Sequence, residues 1–146
     1  MNDIGMRHAE SDADIAACFP VMVQLRPHLA NAEELVERVA RQRAAGYCIL
    51  AAWREGVPIG LAGYRTEENL IHGRFIYVDD LVAADAERRQ GIGARLLDAV
   101  AAEGRRLGCE RLVLDTALDN VLGHRFYYRQ GLLARALRFS RQIAPQ

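Results

Sequence analysis

Hydrophobic residues recur along the first third of this chain at helical spacing. One such stretch runs over residues 15–25 and another over residues 35–39, and each places apolar side chains on one face of an amphipathic helix. Ser11 and Asn31 precede these stretches and are followed by acidic residues, as is typical of helix N-termini. Pro20 lies inside the first stretch, where its ring and missing N–H should kink or split the helix.

Strand-type patterns dominate the middle of the chain. The predicted strands cover residues 5–9, 47–53, 58–65 and 74–83, with a turn at 54–57 and a polar connection at 66–73. Gly60 and Gly63 lie inside the third of these strands. Because glycine weakens a strand, this pair indicates a bulge or the close approach of another group.

Helices and strands alternate through the rest of the chain. A helix with a buried stripe from Ile92 to Leu107 precedes an apolar strand at 111–116, which is expected to be central. A further helix is predicted at 119–130, and closing strands at 132–135 and 137–141. These patterns predict one α/β (α+β) domain over residues 1–146, with a mixed, mostly antiparallel sheet and helices on both faces.

One stretch joins a strand to a helix through a turn that contains two glycines. Residues 77–83 have a strand pattern, residues 84–87 form a turn, and the heptapeptide Arg88-Arg-Gln-Gly-Ile-Gly-Ala94 leads directly into the helix. The first amides of a helix lack internal partners and favour anions. A side chain at Gly91 or Gly93 would hold a phosphate away from these amides and would disfavour left-handed backbone angles. A phosphate-binding loop is therefore predicted.

Two known phosphate loops do not fit this spacing. A Rossmann fingerprint requires glycine or alanine where Leu96 stands, and a P-loop requires Gly-Lys-Ser/Thr, which the chain lacks. The pattern Arg88-x-x-Gly91-x-Gly93 instead resembles the pyrophosphate loop of the GCN5-related N-acetyltransferase (GNAT) superfamily. Further along, Asn120 and the helix ending in Phe126-Tyr-Tyr-Arg-Gln-Gly-Leu132 resemble the second motif of that superfamily. The resemblance covers most of the chain.

This resemblance implies an acetyl-CoA-dependent N-acetyltransferase that acts on a primary amine of a small molecule or of a peptide or protein N-terminus. The alternative is a non-catalytic acyl-CoA-binding sensor of the same fold. Acetyl-CoA would be a co-substrate, no metal would be required, and a homodimer is left open. Leu132 replaces the usual phenylalanine and Gly123 a common alanine, and neither departure affects the prediction that the cofactor is bound.

The resemblance also assigns residues to the cofactor. Backbone groups of Leu81, Val82 and Ala83 would bind the pantetheine amides in the manner of an added strand. The loop that would hold the pyrophosphate comprises Arg88, Arg89, Gln90, Gly91, Ile92, Gly93 and Ala94. Asn120 would hydrogen-bond the cofactor arm, and Tyr127 would point at the thioester sulfur.

Tyr127 is the candidate acid for the departing thiolate, because a phenol has a proton to donate and keeps it at neutral pH. The alternative is a core tyrosine whose hydroxyl is satisfied by the backbone. Its neighbour Phe126 is expected in the core. His124 lies one helical turn away and is either a site residue or a hydrogen-bonded structural histidine.

Asp79 and Asp80 are the candidate bases for removing a proton from the amine. Strand alternation should send these adjacent side chains to opposite faces, so that at most one enters the site. Asp79 is preferred because it would share a face with Tyr77 and Leu81. A water relay that uses neither carboxylate is left open.

Composition narrows the class of protein without identifying it. The chain has 146 residues, 51% hydrophobic and 26% charged, with zero formal net charge and no lysine among its 19 basic residues. Such a chain offers no basic surface for nucleic acid or membrane, and no run resembles a membrane span or signal peptide, so a cytoplasmic location is expected. Cys18, Cys48 and Cys109 are odd in number and widely spaced, which predicts reduced thiols rather than a disulfide or a metal site.

Overall fold

The computed structural model, which describes residues 3–145, contains one five-stranded sheet. Its strands are β1 (Ile4–Ala9), β2 (Cys48–Arg54), β3 (Val57–Asn69), β4 (Gly73–Ala83) and β5 (Arg111–Leu114). They lie side by side in chain order, and the first three pairings are antiparallel whereas β4 and β5 are parallel. The predicted mixed, mostly antiparallel sheet is confirmed.

The helices begin and end largely where the sequence predicts. They are α1 (Asp12–Ala17), α2 (Phe19–Leu25), α3 (Ala32–Arg43), α4 (Ile92–Arg106) and α5 (Val121–Arg129), with a short 3-10 turn at Asp85–Glu87. The Ser11 hydroxyl accepts a hydrogen bond from the Asp14 amide at 3.1 Å, and Asn31 accepts one from Glu34 at 2.8 Å. Pro20 lies in the first turn of α2, where the predicted split separates α2 from α1.

Two hydrophobic clusters cover the two faces of the sheet. The α1–α3 cluster joins Ile15, Met22 and Val39 to strand residues such as Ile49 and Leu61. The α4 cluster, on the other side, packs the stripe of that helix against β2, β3 and β4. The buried residues of α4 are Ile92, Leu96, Leu97, Val100 and Gly104. Helices on both faces are therefore confirmed, as is the predicted stripe except at Leu107, which is only partly buried and caps the end of α4.

The two glycines of β3 are both sites of close approach. A Cβ at Gly60 would lie 2.6 Å from Cγ2 of Ile92, so this position lets α4 pack directly on the strand. A Cβ at Gly63 would lie 2.0 Å from the hydroxyl of Tyr47. The register between β2 and β3 shifts next to Gly60, between its partner Ala52 and Trp53. The register between β3 and β4 shifts between Gly63 and Tyr64. The predicted bulge and the predicted close approach of another group are therefore both confirmed at this pair of glycines.

The predicted connection at 66–73 is wrong, because most of it is strand. β3 continues to Asn69, and its last residues pair with the start of β4 from Gly73. The Asn69 side chain closes the hairpin by accepting hydrogen bonds from the amides of Ile71 and His72, at 3.0 and 2.7 Å. Residues 66–69 of β3 are all polar, so this part of the strand lacks the alternation of apolar and polar residues by which a strand is predicted.

The described chain divides into two compact units, one ending at Leu114 and the other beginning at Asp115. The single domain over residues 1–146 stays a prediction. Contrary to expectation, the fifth strand ends at Leu114 and lies at an edge of the sheet. No helix among residues 3–145 has the length and apolar character needed to cross a bilayer.

The second unit contains α5 and a long irregular segment. Strands were expected at 132–135 and 137–141, but residues 132–145 lie in no helix or strand. An isolated stretch cannot satisfy its backbone groups as a strand without an adjacent edge. Large apolar side chains of this segment, including Leu137 and Phe139, are exposed.

Candidate functional site

The loop between β4 and α4 has a backbone conformation suited to an anion. Arg88 is extended, with φ −61° and ψ 145°, while Arg89 and Gly91 are left-handed, with φ of 69° and 76°. Left-handed backbone costs a residue with a side chain about 1–2 kcal/mol, whereas glycine adopts it freely. Of the two glycines expected to favour left-handed angles, Gly91 adopts one, whereas Gly93 lies inside α4. Arg89 carries a second left-handed angle that the sequence did not indicate.

The N-terminus of α4 differs from those of the capped helices. Side chains of Ser11, Asn31 and Asn120 cap α1, α3 and α5, but no side chain hydrogen-bonds to the start of α4. Its first intrahelical bond runs from the amide of Arg95 to the carbonyl of Gly91, at 3.1 Å. The amides of residues 92–94 therefore have no intrahelical acceptor. A Cβ at Gly91 would meet nothing within 4 Å, so the space beside the loop is open.

Residues outside the motif hold this loop in place. Arg54, at the end of β2, forms an ion pair with Glu87 of the 3-10 turn. The amide of Asp85 donates to the Gln24 side chain at 3.1 Å, which ties the turn to α2. Within residues 3–145, Nε of Arg54 and Oε2 of Glu87 are buried without a hydrogen-bond partner. Sequence reasoning missed this anchor because Arg54 and Glu87 are 33 positions apart.

One edge of β4 is open next to the loop. Leu81, Val82 and Ala83 pair with β3 on one side. On the other side β5 pairs with β4 only over Phe75–Val78. The described residues therefore supply no strand partner for this edge of β4 beyond Val78. Backbone groups along that edge are available to an extended ligand.

A β-bulge at Asp79 corrects the predicted orientation of the two aspartates. Gly63 pairs with Asp80 and Tyr64 with Val78, so Asp79 is the extra residue on β4. A bulge places consecutive side chains on the same side of a sheet. The expectation that Asp79 and Asp80 face opposite ways is therefore wrong. Leu81 packs into the α4 cluster, so the expected shared face of Asp79 and Leu81 is also wrong.

Both carboxylates lie in a charged cluster around Tyr47. Asp80 accepts a hydrogen bond from the Tyr47 hydroxyl at 2.6 Å and one from Nε of Arg26 at 2.8 Å. Asp79 accepts one from Nε of Arg65 at 2.8 Å, and Arg26 also donates to the Asp79 carbonyl. The Arg65 guanidinium lies 5.2 Å from the centre of the Tyr47 ring. The cluster pairs two carboxylates with two guanidinium groups.

The two aspartates differ in their remaining capacity to accept a proton. Both oxygens of Asp80 are engaged, and its side chain is 12% exposed. Arg65 is the single described side chain that hydrogen-bonds to the Asp79 carboxylate, which is 28% exposed. Burial raises the pKa of Asp79, although Arg65 opposes that shift. Burial and the Asp80 charge also raise the pKa of Tyr47, so the phenol keeps its proton.

In the second unit, Tyr127 is half-buried on α5. Its ring meets that of Phe126 edge to face, with centroids 5.4 Å apart. Its hydroxyl has no hydrogen-bond partner within residues 3–145, so the alternative of a backbone-satisfied tyrosine is not what the structure shows. Burial raises the pKa of Tyr127, and the phenol is therefore protonated at neutral pH. Phe126 belongs to neither core cluster, which corrects its expected place, because α5 contains no buried residue.

Asn120 caps α5 rather than lying unconstrained. Its Oδ1 accepts from the amide of Gly123 at 3.2 Å, and its Nδ2 donates to the Thr116 hydroxyl at 2.9 Å. A Cβ at Gly123 would lie 2.3 Å from Nδ2 of Asn120, which explains the glycine where alanine is common. Nε2 of His124 lies 2.8 Å from the carbonyl of Ala117, a contact that fits the alternative of a hydrogen-bonded structural histidine.

The loop and the open strand edge adjoin one another in an α/β fold, and their backbone geometry is suited to an anionic, extended ligand. The model of the acetyltransferase (GNAT) family matches residues 13–132. That range is well over half of the chain, and the protein belongs to this family.

Relatives with assigned activities are N-acetyltransferases. An aminoalkylphosphonate N-acetyltransferase from Salmonella typhimurium is 31% identical over 93 residues, which are 63% of this chain and 60% of that protein. The chain thus spans less than two thirds of the length of this relative. An aminoglycoside N(6')-acetyltransferase type 1 from the same organism is 23% identical over 108 residues, 71% of this chain and 70% of the relative.

Solved structures share the fold at lower identity. An aminoglycoside N-acetyltransferase in complex with CoA has a TM-score of 0.84 at 18% identity, over 99% of this chain and 97% of that one. A GNAT family acetyltransferase from Staphylococcus aureus has a TM-score of 0.81 at 20% identity, over 98% and 100% of the two chains. The fold class is therefore that of the GNAT acetyltransferases.

Proposed function

We propose that this protein is an acetyl-CoA-dependent N-acetyltransferase whose acceptor is the primary amine of a small molecule. The observation that carries the proposal is the junction of β4 with α4. An uncapped helix N-terminus, a left-handed Gly91 and the open edge of β4 meet there. The family match and the named activities of the relatives support the same conclusion.

The residues present suit the cofactor. The amides of residues 92–94 have no intrahelical acceptor, and the loop from Arg88 to Ala94 would hold the pyrophosphate on them. The edge of β4 at Leu81, Val82 and Ala83 would hydrogen-bond the pantetheine amides. Asn120 stays the predicted contact to the cofactor arm, on the family pattern. When bound, acetyl-CoA supplies the acetyl thioester that the amine attacks.

Asp79 is the group that we assign to proton removal. An alkyl amine has a pKa near 10, so only about one molecule in a thousand is neutral at pH 7. Asp79 has an oxygen to spare and a raised pKa, whereas Asp80 is committed to Tyr47 and Arg26. Asp79 takes the proton directly or through one water. Asp80 holds Arg26 and Tyr47 in position around it.

Tyr127 is assigned to the departing thiolate. Its phenol keeps its proton at neutral pH and is not committed to another described residue. A thiol has a pKa near 8.5, so protonating the leaving sulfur assists its departure. This assignment rests on the family pattern, in which the tyrosine of the second motif points at the sulfur.

The relatives favour a small acceptor over a peptide. The names of the two relatives described above specify small amines, an aminoalkylphosphonate and an aminoglycoside. Release of thiol from acetyl-CoA, measured across aminoalkylphosphonates, aminoglycosides, polyamines, amino acids and peptides, identifies the acceptor class. Turnover of peptides alone would contradict the small-molecule assignment. CoA binding without turnover of any amine would instead support the sensor.

Calorimetry with CoA tests the loop itself. Gly93→Glu places a carboxylate on the proposed phosphate site, and we expect it to abolish measurable binding through crowding and like charge. Gly5→Glu is the matched control, because Gly5 lies on β1 and a Cβ there meets nothing within 4 Å. Wild-type affinity in Gly93→Glu would refute the assignment of the cofactor site.

A further inference from the structure

The ion pair between Arg54 and Glu87 joins two turns of the first unit. Glu87 ends the 3-10 turn that runs into the loop from Arg88 to Ala94, and Arg54 is the last residue of β2. Most of each side chain is buried, with 21% of Arg54 and 13% of Glu87 exposed. The two residues therefore connect the hairpin of β2 and β3 to the loop that is proposed to hold the pyrophosphate.

This pair is a poor source of fold stability. Its contact joins one nitrogen of Arg54 to one oxygen of Glu87, and within residues 3–145 the Nε and Oε2 atoms are buried without a partner. A buried ion pair offsets the removal of both charges from water only when its remaining polar atoms are also hydrogen-bonded. Apolar side chains of similar size in place of such a pair are often neutral or stabilising. Fold stability therefore does not account for this pair.

Arg54 extends from a rigid turn. It pairs with Val57 across the two strands, so the connection contains only two residues. These are Glu55 and Gly56, and both are left-handed, with φ of 51° and 77°. Two left-handed residues form the type I′ turn, whose twist matches that of the flanking strands. The sheet therefore fixes the position of Arg54, and Glu87 is held against it.

The loop that follows Glu87 requires support at this end. Arg89 is left-handed although it has a side chain, and such a conformation persists only where the surrounding structure holds it. At the far end of the loop, Ile92 is buried in the α4 cluster. At the near end, the amides of Arg88 and Gln90 donate to carbonyls three residues earlier over long distances of 3.4 Å. The side chain of Glu87, two positions before Arg89, anchors this end to the sheet.

We infer, on the basis of the proposed function, that Arg54 and Glu87 are positioning residues that preset the loop for the diphosphate of CoA. A loop that already has its binding conformation does not have to be ordered when the ligand arrives, so its affinity is higher. The pair thus contributes to cofactor affinity, and the fold would be at least as stable without it.

Calorimetry with CoA and thermal unfolding of the full-length protein test this inference in the double variant Arg54→Met with Glu87→Met. Both charges are removed, so the net charge near the loop is unchanged. We expect CoA to bind about tenfold more weakly, because the loop must then adopt the left-handed conformation on binding. The Tm should be unchanged or higher. Unchanged CoA affinity would overturn the inference, and so would weaker binding together with a lower Tm.

Two further variants serve as controls. Glu103→Met with Arg106→Met removes an ion pair near the other end of α4 and should keep wild-type CoA affinity. Arg54→Lys keeps a cation opposite Glu87, and a point charge suffices because the contact joins single atoms. Its CoA affinity should lie within about threefold of wild type. An affinity as low as that of the double methionine variant would overturn the inference.

Tryptic cleavage without cofactor tests the anchor separately from the proposed function. Mobile loops are the preferred sites of proteolysis, so cleavage after Arg88 and Arg89 should be about tenfold faster in Arg54→Met with Glu87→Met than in the wild type. Equal cleavage rates would overturn the inference. If the wild type failed to bind CoA, the proposed function would be refuted, whereas the cleavage rates would still decide whether this pair holds the loop.

Discussion

Replacing Gly63 by alanine should break the contact between Tyr47 and Asp80. The alanine Cβ would lie 2.0 Å from the Tyr47 hydroxyl and 2.7 Å from Oδ2 of Asp80. Real Cβ atoms essentially never approach another heavy atom within 3.0 Å, so the hydroxyl must retreat by about 1 Å. Tyr47 is buried, with 4% of its surface exposed. Such a movement would break the 2.6 Å hydrogen bond from its hydroxyl to Asp80.

The cost follows from that lost hydrogen bond. A hydrogen bond to a charged group stabilises a protein by about 1.5–3 kcal/mol, and alanine recovers about 0.4–1 kcal/mol by restricting the unfolded chain. The net loss is about 0.5–2.6 kcal/mol, which lowers Tm by roughly 1–10 °C for a chain of this length. The substitution adds no charge and removes no side chain, so the loss reports on this contact.

Urea and thermal unfolding followed by circular dichroism measure the effect. Gly5→Ala is the matched control, since it makes the same change in β1 where a Cβ meets nothing within 4 Å. We expect Gly5→Ala to be as stable as the wild type or slightly more stable. If Gly63→Ala unfolds within about 0.5 kcal/mol of Gly5→Ala, Tyr47 is not held against Gly63. The proposed roles of Asp79 and Asp80 would then lose their geometric basis.

Two further predictions concern the chemistry. Tyr127→Phe should lower kcat by about tenfold or more with unchanged CoA affinity by calorimetry, and unaltered turnover would remove Tyr127 from the mechanism. Asp79→Asn should lower kcat/KM by a similar factor and abolish the acidic limb of the pH profile. In the wild type that limb should lie above the ordinary carboxyl range, because burial raises the pKa of Asp79. Retention of that limb in Asp79→Asn would assign it to another group.

Local patterns predicted much of the fold. The buried stripe of α4, the caps at Ser11 and Asn31 and the split at Pro20 all follow from residues close together in the sequence. Helical periodicity and capping depend on a few neighbouring positions, so a single sequence reveals them. The turn with a left-handed Gly91 that leads into α4 was predictable for the same reason, since the turn and the helix are contiguous.

Long-range packing was not predictable in this way. The bulge at Asp79 depends on how two strands pair, and nothing within β4 alone indicates an extra residue. Arg26 reaches Asp80 across 54 positions, a pairing that no local pattern specifies. The sequence after Gly131 has the pattern of a strand, yet residues 132–145 form none. Strand formation requires an available sheet edge, which the side chains of the segment alone do not provide.

The extra residue in β4 also changes how this strand must be compared with others. Before Asp79, even-numbered residues such as Ile76 and Val78 enter the α4 cluster, whereas after it the odd-numbered Leu81 and Ala83 do so. Parity therefore inverts in mid-strand. Deleting Asp79 would let regular alternation run from Val78 to Asp80 and would leave both halves of β4 on their present faces. An alignment with a strand that lacks the bulge therefore needs a one-residue gap at Asp79.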